Sequence, residues 1–163
     1  MKKIYLAGPK GFSEAGQYWF YKELIPLLEP HYEIINPWKC MPADEVARLN
    51  SMPPGPERVE GWSALNGKTF DDEIEWIREC DGMVADLDGA DVDSGTAVEI
   101  GVAYMLRKPI VGYRGDWRVM RENEALIVNL MPQMAIERSG CKIVRTLDDI
   151  LPAVDEFIGR KSA

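Results

Sequence analysis

The chain predicts an α/β fold of the Rossmann or flavodoxin-like kind, a five-stranded parallel sheet with helices on both faces. Two observations carry that expectation. Short apolar runs alternate with longer stretches of helical periodicity, five times in succession, with no internal repeat or low-complexity segment. The length of 163 residues, 46% of them hydrophobic, fits one domain with a sizeable core.

The elements follow in order. Residues 3–7 make a buried strand stopped by Gly8-Pro9. Ser13 caps the next helix, in which Tyr18, Tyr21, Leu24 and Leu28 recur at helical spacing and which Pro30 ends. A short strand at 33–35 is closed by Asn36-Pro37, and 43–49 makes a short helix. Residues 51–67 hold Pro53, Pro54, Gly55, Pro56, Gly61 and Gly67 with little periodicity. They read as a long loop or lid within a single domain spanning 1–163. Helix returns at 68–80, with Phe70, Ile74 and Ile77 on one face. A third strand at 82–87 leads through a polar loop to a small-residue helix at 95–106, where Ala97, Gly101 and Ala103 suit close packing on a sheet. A fourth strand at 109–113, a helix at 124–130 and a fifth strand at 142–144 follow. Thr146 with Asp149 approximates a capping box and opens the last helix, to residue 158.

In open parallel sheets the ligand lies beyond the carboxyl ends of the strands, where the strand order reverses. The segments to inspect are therefore 8–12, 36–40, 86–95 and 113–117.

Composition excludes several functions. The chain carries 27 Asp and Glu against 19 Lys and Arg, a net charge of −8, without a basic block. It lacks the electrostatic footprint of a protein that binds polymeric nucleic acid or an anionic membrane. No apolar run approaches the roughly 18–20 residues of a membrane span. The apolar start is too short for a signal peptide. Cys40, Cys80 and Cys141 are scattered, with no CxxC pair and no metal spacing, which points to a reduced, cytoplasmic location. The loop Gly8-Pro9-Lys10-Gly11-Phe12 places glycines where a phosphate loop would stand, but it is not GxGxxG. It is either such a loop or a tight turn. No cofactor and no metal is expected.

The chemistry concentrates in residues 86–101. Asp86, Asp88, Asp91 and Asp93 crowd the end of the third strand, and Glu99 lies one turn inside the next helix. The aspartates form a metal site, a plain acidic turn or part of a reactive site. Glu99, among Ala97, Val98, Ile100 and Val102, faces either solvent or the strand ends; the glycines at 95 and 101 favour the second. Tyr5 in the first strand is either core or a phenol that orients a carboxylate. Asp72 and Glu73 alone look like surface acids. The single histidine, His31, sits beside Pro30 and reads as structural. Carboxylates without a Ser-His or Cys-His pair suit glycosyl chemistry, in which one carboxylate attacks the anomeric carbon and a second acid protonates the leaving group.

These residues resemble the nucleoside 2-deoxyribosyltransferases. The resemblance runs nearly end to end: Lys3-Ile4-Tyr5-Leu6-Ala7-Gly8-Pro9, Asp81-Gly82-Met83-Val84-Ala85-Asp86-Leu87, Asp93-Ser94-Gly95-Thr96-Ala97-Val98-Glu99-Ile100-Gly101, Lys108-Pro109-Ile110-Val111-Gly112-Tyr113 and Asn129-Leu130-Met131. It implies base exchange on 2′-deoxynucleosides through a covalent deoxyribosyl-glutamate, with slow hydrolysis as a side reaction. The partners it implies are a 2′-deoxynucleoside and a free nucleobase, and it implies a homo-oligomer with shared active sites. Glu99 matches the nucleophile and Tyr5 the tyrosine that holds it. Asp93 matches the acid on the sugar 5′-hydroxyl. Phe12, in the loop that starts at Gly8, matches an aromatic that packs on substrate. Asn129 and the Met131 backbone match contacts from a neighbouring subunit. The base-handling acid, four residues before Ile77, falls on Glu73, with Asp72 adjacent. Base preference depends on the surroundings of Trp38 and Trp62.

Three rivals remain. A 2′-deoxynucleoside 5′-monophosphate N-glycosidase would need neutral donors where Asp93 stands, because a carboxylate repels a phosphate dianion. A non-catalytic nucleotide-sensing module would need neither Glu99 nor Tyr5. A metal-dependent phosphatase would use the 86–93 cluster.

Overall fold

The structure, a computed structural model, describes residues 1–39 and 41–159. Cys40 and residues 160–163 lie outside the described residues. Five strands, β1 (Lys3–Ala7), β2 (Glu33–Ile35), β3 (Gly82–Asp86), β4 (Ile110–Tyr113) and β5 (Ile143–Val144), form one sheet in the order β2-β1-β3-β4-β5. Every neighbouring pair is parallel. The order reverses between β1 and β3, as in flavodoxin-like sheets. Successive side chains of β1 point to opposite faces. Ile4 and Leu6 pack with Phe20, Leu24, Leu28, Ile150 and Val154 on one face. Tyr5 and Ala7 pack with Ile77, Ile100, Ala103 and Ile136 on the other.

On the first face, α1 (Glu14–Trp19) passes through a π-helical turn (Phe20–Leu24) into α2 (Ile25–Leu28). The Ser13 hydroxyl accepts the Gly16 N–H at 3.1 Å, the expected cap. Pro26 has no N–H to give the preceding turn, which accounts for the wider π turn just before it.

The loop or lid expected over 51–67 is corrected by the structure. α3 (Ala43–Ser51) is followed by a short turn and then by α4 (Pro56–Glu79), a 24-residue helix that takes in 56–67. Pro56 stands at the start of α4, where a missing N–H breaks no helical bond. Gly61 is the point where α4 meets α3: a Cβ there would lie 2.5 Å from Leu49 Cδ2. The residues that read as loop are a helix start signal and a helix–helix contact.

The helix expected at 124–130 is displaced as well. α5 spans Ser94–Met105, and α6 spans Leu130–Arg138 with Asn129 as its N-cap, accepting the Met131 N–H at 3.0 Å. The residues before Asn129 are not helical. Gln133 Oε1 accepts the N–H groups of Ile127 and Val128 at 2.6 and 3.3 Å, and Leu126 and Val128 are buried. Thr146 Oγ1 donates to the Asp149 carboxylate at 2.6 Å instead of capping a backbone N–H, and a 3-10 turn (Leu147–Asp149) precedes α7 (Ile150–Phe157). A Cβ at Gly101 would meet nothing within 4 Å beyond its own helix, so this glycine is not needed for close packing; Ile100 and Ala103 make the α5 contact with the sheet. Among the described residues no helix is long and apolar enough to cross a membrane.

Leu49 is fully buried between α3 and α4. Leu49→Ala is expected to lower the free energy of urea unfolding by about 2–5 kcal/mol. A loss below about 0.5 kcal/mol, typical of surface positions, would contradict the packed α3–α4 contact.

Candidate active site

The site is built where β1 and β3 end. Gly8 follows β1 at φ 153°, and a Cβ there would lie 2.7 Å from Asp86 Cβ. Only glycine lets the two strand ends come this close. Beside it opens a cavity of about 610 Å³. The 3-10 turn Pro9–Phe12 supplies Phe12, and the 3-10 turn Pro37–Lys39 supplies Pro37 and Trp38. From α4 come Thr69, Phe70, Glu73, Ile74 and Ile77, a stripe at helical spacing. The first turns of α5 and its cap bring Asp93, Thr96, Val98 and Glu99.

Glu99 meets Tyr5 at the inner wall. The fully buried Tyr5 donates its hydroxyl to Glu99 Oε1 at 2.6 Å. Burial pushes the Glu99 carboxyl up to about 7, the Tyr5 bond opposes the rise, and the charges of Glu73 and Asp93 add to it. Glu99 therefore exchanges its proton near neutral pH. Asp93 is the N-cap of α5: its Oδ2 accepts the Thr96 N–H at 3.0 Å and the Thr96 hydroxyl at 3.2 Å. Among the described residues no donor reaches its Oδ1.

The two adjacent acids of α4 separate. Glu73 lines the cavity. Asp72 does not; it pairs with Lys68 one turn back along the helix surface. Consecutive helical residues point about 100° apart, and here Glu73 is on the cavity side while Asp72 is turned toward Lys68. The catalytic expectation for Asp72 is thereby corrected. Phe12 packs edge-on against Trp38, centroids 4.6 Å apart, and Trp38 Nε1 is buried without a hydrogen-bond partner among the described residues. Trp62 is not in the lining.

Two expected residues stay outside this chain's cavity. Asn129 caps α6 and donates from Nδ2 to Glu122 Oε1 at 3.1 Å, and Met131 is 74% exposed. The acidic run 86–93 also divides. Asp86 and Asp88 face Lys10 and only Asp93 faces the cavity. Among the described residues no three His, Cys, Asp or Glu are placed to hold a metal ion. Thr69 and Val98 were not singled out by sequence reasoning. Thr69 precedes Glu73 by four residues, a spacing that puts both on one helix face.

A cavity at the strand-order reversal, walled by aromatic and aliphatic groups with a few carboxylates, is the kind of site that doubly wound α/β proteins use for small molecules. More particularly, the chain belongs to the nucleoside 2-deoxyribosyltransferase family, whose family model matches residues 4–131. Solved structures share the fold. A conserved protein from Enterococcus faecalis V583 is 24% identical with a TM-score of 0.65, covering 96% of this chain and 98% of its own. The 2-deoxyribosyltransferase of Bacillus psychrosaccharolyticus is 24% identical with a TM-score of 0.61, covering 91% and 89%. The corresponding enzyme of Leishmania mexicana is 22% identical with a TM-score of 0.61, covering 99% and 100%. Comparison with curated proteins finds no match.

The raised Glu99 carboxyl links stability to pH. Its folded value of about 7 lies above the ordinary 4.5. The stability it contributes is complete below the unfolded value and is lost as pH rises through the folded one. Glu99→Gln removes that loss. It should match wild type at about pH 4 and exceed it by roughly 3 kcal/mol at about pH 8.5 in denaturant titrations. Equal stability of the two proteins at the higher pH would contradict the burial of an ionised Glu99.

Proposed function

We propose that the protein is a nucleoside 2-deoxyribosyltransferase that exchanges the base of 2′-deoxynucleosides through a deoxyribosyl ester on Glu99. The observation that carries the reading is the 2.6 Å Tyr5–Glu99 hydrogen bond on the wall of a largely apolar cavity. A Glu99 carboxylate oxygen attacks C1′ of the deoxyribose. The C1′–N bond breaks with its electron pair going to the base, and a proton from the Glu73 carboxyl reaches a ring nitrogen of the leaving base. An incoming base then attacks C1′ from the opposite side, returns its proton to Glu73 and releases Glu99. Two inversions retain configuration. Water in place of the second base gives slow hydrolysis. Tyr5 holds the reacting oxygen in line and favours its ionised form. Asp93 Oδ1 accepts a hydrogen bond from the free 5′-hydroxyl.

The preference for a nucleoside over its 5′-monophosphate follows from charge. Among the described residues, the cavity lining contains Glu73, Asp93 and Glu99 and no Lys, Arg or His. A phosphate dianion there would meet three carboxylates. The reaction as written uses no cofactor.

The site is completed by a second copy of this chain. Val98, at the cavity mouth, and Met105 on α5 are exposed, as are Leu130 and Met131 at the start of α6, beside Asn129. This patch joins the cavity rim to a residue that the cavity of its own chain does not use. A partner seated there would bring Asn129 and the Met131 backbone to the sugar.

Incubation with deoxyuridine or deoxyinosine plus free adenine, followed by chromatography, should yield deoxyadenosine at least about tenfold faster than adenine is released from dAMP. The reverse ranking would make the protein a monophosphate N-glycosidase. Co-expressed Glu99→Ala and Asn129→Ala chains, each inactive alone, should recover up to about a quarter of the activity, because a mixed dimer holds one intact shared site. No recovery would contradict the shared site.

A further inference from the structure

Lys10 takes no part in the reaction just described, yet it is among the most elaborately held side chains in the molecule. Its Nζ lies 2.8 Å from Asp88 Oδ2 and 3.6 Å from Asp86 Oδ2. It also stands 5.0 Å over the ring of Trp19, which stacks on Tyr113 of β4 at 5.1 Å. Asp86 is 3% exposed, and its Oδ1 accepts the Asp88 N–H at 3.1 Å. The second oxygen of Asp88, Oδ1, accepts the Asp116 N–H at 2.7 Å. Lys10 thus joins three strand ends: its own turn after β1, the end of β3 and, through Asp88, the chain leaving β4.

The turn after β1 is lightly held, whereas the segment after β4 is fixed at its far end by Gln133 and Glu122 and near its start by Asp88, Arg114 and Arg145. The turn Pro9–Phe12 buries none of its residues, and its Phe12 meets Trp38 only edge-on. It is also tied by the Gln17 side-chain amide, which donates to the Gly11 carbonyl at 2.8 Å, and by close packing of Gly11 on Trp38 and of the Lys10 carbonyl on Gly16. The segment after β4, residues 115–128, has no helix or strand and leads to Asn129. The buried Arg114 ties it a second time, donating to the Leu87 carbonyl and to the Arg118 carbonyl at 2.5 Å. Burial works against the Lys10 charge, but Asp86 and Asp88 outweigh it and hold the ammonium ionised. Partly buried charges cost desolvation, which this cluster recovers only in one fixed geometry.

We propose that Lys10 is a positioning residue: its ion pair with Asp86 and Asp88 locks the Phe12 wall and the segment leading to Asn129 to the end of β3, in register with each other. The proposal rests on the reading of the cavity as the active site, since it assigns Lys10 to substrate binding and not to chemistry.

The test compares Lys10→Met, Lys10→Arg and Asp88→Asn with wild type by hydrogen–deuterium exchange and by base-exchange kinetics. In Lys10→Met, exchange should quicken about tenfold in both 8–12 and 115–118, with β1, β3 and β4 unchanged. KM for the deoxynucleoside should rise about 5–20-fold with kcat within about threefold. Lys10→Arg should restore most of the wild-type KM, and Asp88→Asn should reproduce the paired quickening. Quickening confined to 8–12, or a fall in kcat at constant KM, would overturn the proposal. If Lys10→Met does not fold, the same criteria are read from Asp88→Asn. If wild type exchanges no bases, the functional reading fails, whereas the paired exchange of the two segments still decides the lock.

Discussion

A carboxylate set among apolar side chains is unstable unless something donates to it, and the candidate site is organised around that constraint. Glu99 is drawn into the cavity wall by the helix that carries it, and the Tyr5 hydroxyl is the donor that makes its ionised form tolerable. The bond joins residues 94 positions apart. It exists because β1 lies beside β3 at the strand-order reversal and α5 starts just beyond β3. Gly8 is the geometric condition: without a Cβ it allows β1 and β3 to end close together. The balance leaves Glu99 with a proton affinity near neutrality, so it can be ionised as a nucleophile without being locked in an ion pair that would blunt it.

The same end of the sheet holds a second set of acids with a different task. Asp86 and Asp88 face a lysine and are spent on structure, while Asp93, Glu73 and Glu99 face the cavity. The division follows from the sheet itself. The first set lies on the side of Trp19 and Tyr113, the second on the side of α4 and α5. On the proposed reading, the cavity side of the sheet end carries carboxylates while the lysine on the other side fixes the loops.

Much of this was legible in the residues. The strand–helix alternation gives the parallel sheet, and 93–101 marks the start of α5 with its acid inside the first turns. What misled was local chemistry read without its partners. Prolines and glycines at 53–61 read as loop, because nothing in the one-dimensional pattern tells that Pro56 begins a helix or that Gly61 accepts Leu49. The apolar run 125–128 reads as helix, yet its backbone donors are taken by Gln133, a tertiary contact. Asp72 and Glu73 are indistinguishable by type, and only the rotation of α4 separates them. Lys10 carried no signal, since its partners lie 76 and 78 residues away.

The central claim is that Glu99 forms a bond to the sugar. Wild-type protein mixed with a 2′-deoxynucleoside, without acceptor base, is quenched in acid and its intact mass measured, followed by mapping of the peptide that contains residues 94–105. The account predicts a fraction of the chain heavier by one deoxyribosyl group, carried on Glu99, absent from Glu99→Ala and discharged when adenine is added before the quench. A protein that turns over deoxynucleosides while its mass stays unchanged, or that carries the sugar on another residue, would contradict it.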